Sequence, residues 1–336
     1  MTAPRLRFCF NLDRARLAQC FAPETLAAIG ELVELDFETP ERLTDAWLRP
    51  RLAAADGCIT GWGSLPLDAA RLAAAPALRY ALHAAGSVKS IVVDDAVWER
   101  GLRVTSAANA NGVPVAEFAL GLILCALKDV FRYQVAFKAG GRAAWQRAVT
   151  TPGYYGTTVG VIGAGNVGRH LLGLLRHHDF RVLVYDPWLE DDAAAALGAT
   201  RTGLEELLRA AHAAVLVAPN IPENAHLIGA AQLALLPDGA TFINPGRGAL
   251  LDHDALIAEL RSGRITACLD VSDPEPPPAG SPLYSLPNCI LTPHVAGSLN
   301  GECLRLGAQV LEEVRRLVSG RPFQGEVTRE LFPRLG

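Results

Sequence analysis

The stretch Thr158-Val-Gly-Val-Ile-Gly-Ala-Gly-Asn-Val-Gly168 decides how the rest of the chain is read. Its apolar run, 159–162, leads directly into Gly163-x-Gly165-x-x-Gly168, and a helical pattern follows over 169–177. In a strand-turn-helix context the first glycine permits a tight turn and the second lets a pyrophosphate approach the backbone. The third lets helix and strand pack closely, and Asn166 and Val167 lie between the last two. Unpaired N–H groups and the positive end of the helix dipole favour phosphate there. A glycine pattern alone is a weak signal, and Asp186 gives it weight. It ends the next apolar run, 182–185, about 20 residues on, where an acid would hold an adenosine ribose 2′-hydroxyl. No arginine or lysine follows directly in Asp186-Pro-Trp188. A 2′-phosphate would meet like charge without a partner, so NAD is favoured over NADP.

At 336 residues the chain is long enough for two domains, each with its own core. Half of it is hydrophobic and a fifth charged, as in globular proteins. A formal charge of −4 without a Lys/Arg cluster argues against nucleic acid as a partner and leaves small molecules. Seven cysteines (Cys9, Cys20, Cys58, Cys125, Cys268, Cys289, Cys303) are scattered and never form a C-x-x-C pair, so neither a disulfide framework nor a zinc site is indicated. They read as small core residues of a reducing compartment. With no signal-peptide core and no run near 18 uninterrupted apolar residues, the expectation is a cytoplasmic protein without a membrane span.

Short apolar runs at 6–10, 33–35, 57–59, 78–82 and 102–105 alternate with helical patterns such as 14–29 and 44–54. Alternation of this kind predicts βαβ units and a parallel sheet. No phosphate-binding glycine pattern follows the first run, so this half has another task. A loop of small residues, 106–112, precedes a highly apolar helix, 113–128, with Pro114 suited to its first turn. Residues 138–157 read as an irregular connector. Strands are then expected at 214–217, 240–244, 266–271 and 289–291, helices at 204–210 and 252–262, the latter capped by Asp252, and an amphipathic helix at 302–318. In open parallel sheets ligands sit outside the carboxyl ends of the strands. Gly163, Asp186, Pro219, Arg247, the loop after Asp270 and His294 each follow such an end, which places them around one crevice.

Three of these sites carry a more specific pattern: Arg247 in Asn-Pro-Gly-Arg-Gly, Glu275 five residues after Asp270, and His294 in Thr-Pro-His-Val-Ala-Gly-Ser. Together with the glycine motif, Asp186, Asn111 and Val115-Ala-Glu117, the chain resembles the D-isomer-specific 2-hydroxyacid dehydrogenase family over about residues 56–300. The resemblance implies an α/β fold of two doubly wound parallel-sheet domains. A Rossmann nucleotide domain, 105–298, is inserted into a flavodoxin-like substrate domain made of 1–104 and 299–336. It also implies NAD-dependent interconversion of a small 2-hydroxy acid and its 2-oxo acid, with Pro219 and Asp270 added to the cofactor residues. A homodimer through the apolar helix and the arm near Trp145 is implied too. The alternative is an NAD(H)-sensing, corepressor-like binding protein of the same fold, although the chain lacks long charged tails for recruitment.

The chemistry gives its own reason for these residue types. Hydride transfer to a 2-oxo acid leaves negative charge on oxygen, and a protonated imidazole is suited to deliver the proton. We assign His294 as acid/base, Glu275 as the carboxylate that favours and orients its charged form, and Arg247 as the planar clamp on the substrate carboxylate, which His294 and the cofactor adjoin. Asp273 is the alternative to Glu275. The substrate domain is expected to supply backbone N–H groups from Ala84-Ala85-Gly86-Ser87-Val88-Lys89. Here the family's common Gly-x-Asp-x-Ile-Asp is replaced, and Lys89 reads either as added positive charge for an anionic substrate or as an exposed helix-start lysine. Trp62, in Gly61-Trp-Gly-Ser64, reads either as a pocket wall or as an ordinary packed aromatic.

Overall fold

The computed structural model describes residues 5–148 and 153–335. The chain forms two compact units: one holds the chain up to Gly112 together with Ser298–Leu335, the other Val113–Gly297. Strands β1 (Arg7–Asn11), β2 (Glu34–Leu35), β3 (Gly57–Thr60), β4 (Tyr80–His83) and β5 (Arg103–Ser106) come first. The second unit contributes β6 (Thr158–Ile162), β7 (Arg181–Tyr185), β8 (Thr200–Arg201), β9 (Ala213–Leu216), β10 (Thr241–Asn244), β11 (Thr266–Leu269) and β12 (Cys289–Leu291). β13 (Glu326–Val327) closes the series.

The first unit's sheet has the order β13-β5-β4-β3-β1-β2, parallel except for β13. Its five parallel strands thus run 2-1-3-4-5, the flavodoxin-like order. β5 runs through Ser106, so this unit extends past residue 104. The second unit's sheet is β12-β11-β10-β9-β6-β7-β8. Counted from β6 it reads 3-2-1-4-5-6 with a seventh strand, the dinucleotide-binding order, and the direction of winding reverses between β6 and β9. Both are doubly wound α/β sheets.

Strands β3, β6, β9 and β10 are buried at every position, which is why they appear as continuous apolar runs rather than alternating ones. Successive side chains still divide between two faces. In the first unit Phe8, Phe10, Ile59 and Leu82 fill one core, and Cys9, Cys58, Ala81 and Val104 the other. In the second, Ile162, Leu183, Leu216 and Phe242 oppose Val161, Val184, Val215 and Cys268.

Three expected elements differ. The helix expected over 14–29 is two, Arg14–Cys20 and Pro23–Leu32, because Pro23 begins a helix without cost but cannot donate within one. The apolar helix spans Ala108–Leu127 and starts before Pro114, which lies inside it. Its early start has a local cause: the Ser106 hydroxyl accepts from Ala108 N at 3.0 Å, offering the first turn a cap. By length and composition this helix is apolar enough to cross a bilayer, yet Ala116, Ala119, Ile123 and Leu127 are buried in the second unit's core. Finally, much of the expected connector is helix Val130–Ala148, broken at Gly140 and Gly141, the latter at φ 59°. Residues 149–152 of that stretch lie outside the described residues.

Candidate active site

The glycine turn after β6 fits a dinucleotide on structural grounds. Gly163 sits at φ +106°, and a Cβ there would meet the Ala218 backbone at 2.6 Å. A Cβ on Gly168 would lie 2.1 Å from the Gly163 carbonyl oxygen. Both positions therefore require glycine. Gly165, by contrast, has open space beside it and is the N-cap of helix Asn166–Leu175 with no side chain capping it. An uncapped ten-residue helix with an open approach leaves its first N–H groups, including those of Asn166 and Val167, for an anion.

Asp186 is 8% exposed just past β7. Its Oδ2 accepts from Ala164 N at 2.7 Å and its Oδ1 from Trp188 N at 2.9 Å. The carboxylate is thereby fixed across the glycine turn, with lone pairs left over for a hydroxyl. Pro219 follows β9 and its carbonyl accepts from Asn224 Nδ2 at 2.9 Å, shaping the loop.

At the end of β10, buried Asn244 organises the next turn. Its Oδ1 accepts from Gly246 N at 3.1 Å and its Nδ2 donates to Arg247 O at 3.0 Å. Gly248 lies so close to the Ser272 backbone that a Cβ would sit at 2.1 Å, which presses the Arg247 turn against the loop carrying Glu275. Burial lowers the Arg247 pKa from its ordinary value, and the Glu275 charge opposes that shift.

His294 and Glu275 form a pair, with Nδ1 and Oε1 2.6 Å apart. Both side chains are accessible, 49% and 41% exposed. His294 has φ +55°, rare for a residue with a side chain. What holds it there is Asp270, 1% exposed at the end of β11. Its Oδ1 accepts from Thr292 Oγ1 at 2.6 Å and from Val295 N at 2.9 Å, and its Oδ2 from Ala296 N at 2.8 Å. The Asp270 carbonyl accepts from His294 N at 2.9 Å. Such over-determination sustains a backbone conformation that costs on the order of 1–3 kcal/mol. Glu275, His294 and Asp270 also line a cavity of about 530 Å³ with Pro276, Tyr284 and Leu291.

Ala85, Gly86, Ser87, Lys89 and Trp62 belong to the first unit. Trp62 is half-buried and packs against the cluster containing Phe8 and Phe10. Lys89 is exposed. In the loop after β4, Ala85 O accepts from Ala107 N at 3.0 Å and Gly86 O accepts from Ser106 Oγ. In a trans peptide the following N–H points opposite to the carbonyl. The N–H groups of Gly86 and Ser87 therefore face away from those anchors, and among the described residues they meet no acceptor. Carbonyls clamped on one side and free donors on the other make an anion-binding concavity. Sequence reading missed Asn244, whose signal was an Asn followed by Pro-Gly at a strand end. It also missed His83, a lone polar residue closing an apolar run.

Comparison with known proteins shows the family. Residues 120–296 match the model of the D-isomer specific 2-hydroxyacid dehydrogenase NAD binding domain. A D-3-phosphoglycerate dehydrogenase of Mycobacterium leprae is 32% identical over 313 residues, 92% of this chain and 58% of that protein. A glyoxylate reductase of Korarchaeum cryptofilum is 32% identical over 253 residues, 74% of this chain and 76% of that protein. The solved D-mandelate dehydrogenase of Rhodotorula graminis superposes with a TM-score of 0.82 at 23% identity, covering 97% of this chain and 98% of that one, a likeness of fold. The chain belongs to the D-isomer specific 2-hydroxyacid dehydrogenase family, and its cofactor is NAD. It spans little more than half the length of the Mycobacterium relative.

Proposed function

We propose that the protein is an NAD(H)-dependent oxidoreductase that interconverts a small 2-hydroxy acid and its 2-oxo acid. The observation that carries this reading is the 2.6 Å contact of His294 Nδ1 with Glu275 Oε1, beside an Arg247 that feels the Glu275 charge. Gly163, Gly165, Asn166, Val167 and Gly168 receive the pyrophosphate, Asp186 the adenosine ribose, and Pro219 and Asp270 border the remainder of the cofactor. When bound, NADH supplies the hydride. Arg247 grips the substrate carboxylate and carbonyl with its planar fork. Glu275 orients the imidazole through Nδ1. The proton on Nε2, which makes no hydrogen bond among the described residues, passes to the substrate oxygen as negative charge develops there. From the first unit we assign to the substrate the loop at Ala85, Gly86 and Ser87, with Lys89 adding positive charge and Trp62 as a further candidate.

The test is NADH consumption with glyoxylate, hydroxypyruvate, pyruvate and bulkier 2-oxo acids. His294→Ala is expected to lower kcat by roughly 10²–10⁴-fold with NADH affinity retained. Arg247→Ala is expected to abolish turnover at ordinary substrate concentrations. No turnover of any 2-oxo acid by the unmodified protein overturns the reading. A homodimer through helix Ala108–Leu127 accompanies it, to be checked by sedimentation at micromolar concentration; the Trp145 side chain lies outside what the structure describes.

A further inference from the structure

At the carboxyl edge of the first sheet, register aligns four polar residues. Asn11 pairs with Thr60, Thr60 with His83, and His83 with Ser106. Each is the last residue of its strand. They are 0%, 0%, 1% and 7% exposed, respectively. Buried polar groups are costly unless bonded, and here each bond ties down part of the edge. Asn11 exchanges bonds with the Leu65 backbone, its Nδ2 donating to O at 2.8 Å and its Oδ1 accepting from N at 3.0 Å. Ser106 Oγ donates to the Gly86 carbonyl. Thr60 Oγ1 lies 2.8 Å from His83 Nδ1.

His83 is the member of the row whose bonding is incomplete. Its Nε2 is buried with no hydrogen-bond partner among the described residues. Burial pushes the imidazole pKa down to about 4, the Ser87 backbone pulling more weakly the other way. The ring is therefore neutral at working pH. If Thr60 donates its hydroxyl proton to Nδ1, the ring proton resides on Nε2, beneath the loop whose carbonyls Ser106 and Ala107 already hold.

We propose that His83 is a positioning residue: its buried imidazole, held by Thr60 at Nδ1, fixes the strand end from which loop 84–89 leaves, where Ala107 N donates to His83 O and Ala84 N to Thr60 O, and so keeps the N–H groups of Gly86 and Ser87 aimed at a substrate carboxylate. The inference rests on the functional reading above, since it concerns how that reading's substrate loop is set. A neutral group suits the task. It stiffens the donors without placing a negative charge beneath an anion.

Two measurements on the full-length protein test it. In the first, His83→Leu keeps bulk and removes both ring nitrogens; it is expected to raise KM for whichever 2-oxo acid is turned over by about tenfold, with kcat and NADH affinity within about twofold. His83→Gln, which keeps a polar group within reach of Thr60, is expected to recover part of the loss. Unchanged KM in His83→Leu overturns the proposal, as does an equal loss of NADH affinity. Where His83→Leu fails to fold, Thr60→Val replaces it, with a smaller rise in KM expected and no rise counting against. In the second, ¹⁵N NMR of the unmodified protein is expected to show His83 neutral with its proton on Nε2 between about pH 5 and 9; the other tautomer, or titration near the ordinary histidine value of about 6.5, overturns it. If the unmodified protein turns over no 2-oxo acid, the functional reading fails and takes this inference with it, a result distinct from turnover that is indifferent to His83.

Discussion

Where β1, β3, β4 and β5 end, the first unit buries Asn11, Thr60, His83 and Ser106, all uncharged; just beyond β7 and β11, the second buries Asp186 and Asp270. Both sets grip loop backbone, and the loops they grip do different work. The first unit's loop offers backbone N–H groups, with Lys89 at its end. A carboxylate about 6 Å from a bound substrate carboxylate would cost roughly 3 kcal/mol at an effective dielectric of about 20. In the second unit the loop carrying His294 stands on buried Asp270, whereas the Arg247 turn is set by uncharged Asn244. Between loop 84–89 and the loop at 292–296, the anchor's charge differs: neutral beneath the first, acidic beneath the second.

Three experiments break or sharpen this contrast. The largest effect is expected for Asp270→Ala, which leaves Thr292 Oγ1, Val295 N and Ala296 N without their acceptor. At about 1–3 kcal/mol per buried unsatisfied donor, a loss of about 4 kcal/mol in urea unfolding and a fall in kcat are expected together, since His294 sits on that loop. Retained kcat would show that the strained backbone at His294 stands without the acid.

A pH series on His83 comes next. Its pKa falls from about 6.5 unfolded to about 4 folded, so the unfolded chain binds the proton first. Stability is then full above about pH 6.5 and declines as pH falls toward 4, by on the order of 3 kcal/mol. Acid unfolding midpoints should show a gentler slope over that window in His83→Gln. An identical slope would mean that the neutral anchor contributes nothing to acid sensitivity. The smallest effect belongs to Ser106→Ala: about 1 kcal/mol of stability, for a hydroxyl that joins Gly86 O and Ala108 N, with a two- to fivefold rise in KM read from initial rates.

The second unit was the more legible in the sequence because its logic is local. Gly163, Gly165 and Gly168 sit within one turn, and helix Leu204–Ala210 and strand Cys289–Leu291 fall where the pattern put them. Asp252 accepts from Ala255 N as a cap should. The polar row was illegible because its members are separated by 49, 23 and 23 residues and meet only through strand register. Asp270 was read as a cofactor neighbour, and its grip on 292–296 depends on β11 and β12 being adjacent. Propensity misled at Pro114, where the Ser106 cap lies eight residues upstream and the helix begins six residues before the proline.

The terminal segment of the first unit also bears on synthesis. Ser106 N donates to Gly325 O, Gln309 Nε2 donates to Ser106 O, and buried Glu313 accepts from Gln324 N and Gly325 N. On a ribosome the contiguous second unit emerges whole and is free to fold as soon as it clears the tunnel. The first unit, begun earlier, stays an open sheet with β5 as a bare edge until residues 304–327 arrive to cover it. The first unit is thus completed only after the second, and its loop at 84–89 becomes rigid only when residues 304–327 arrive.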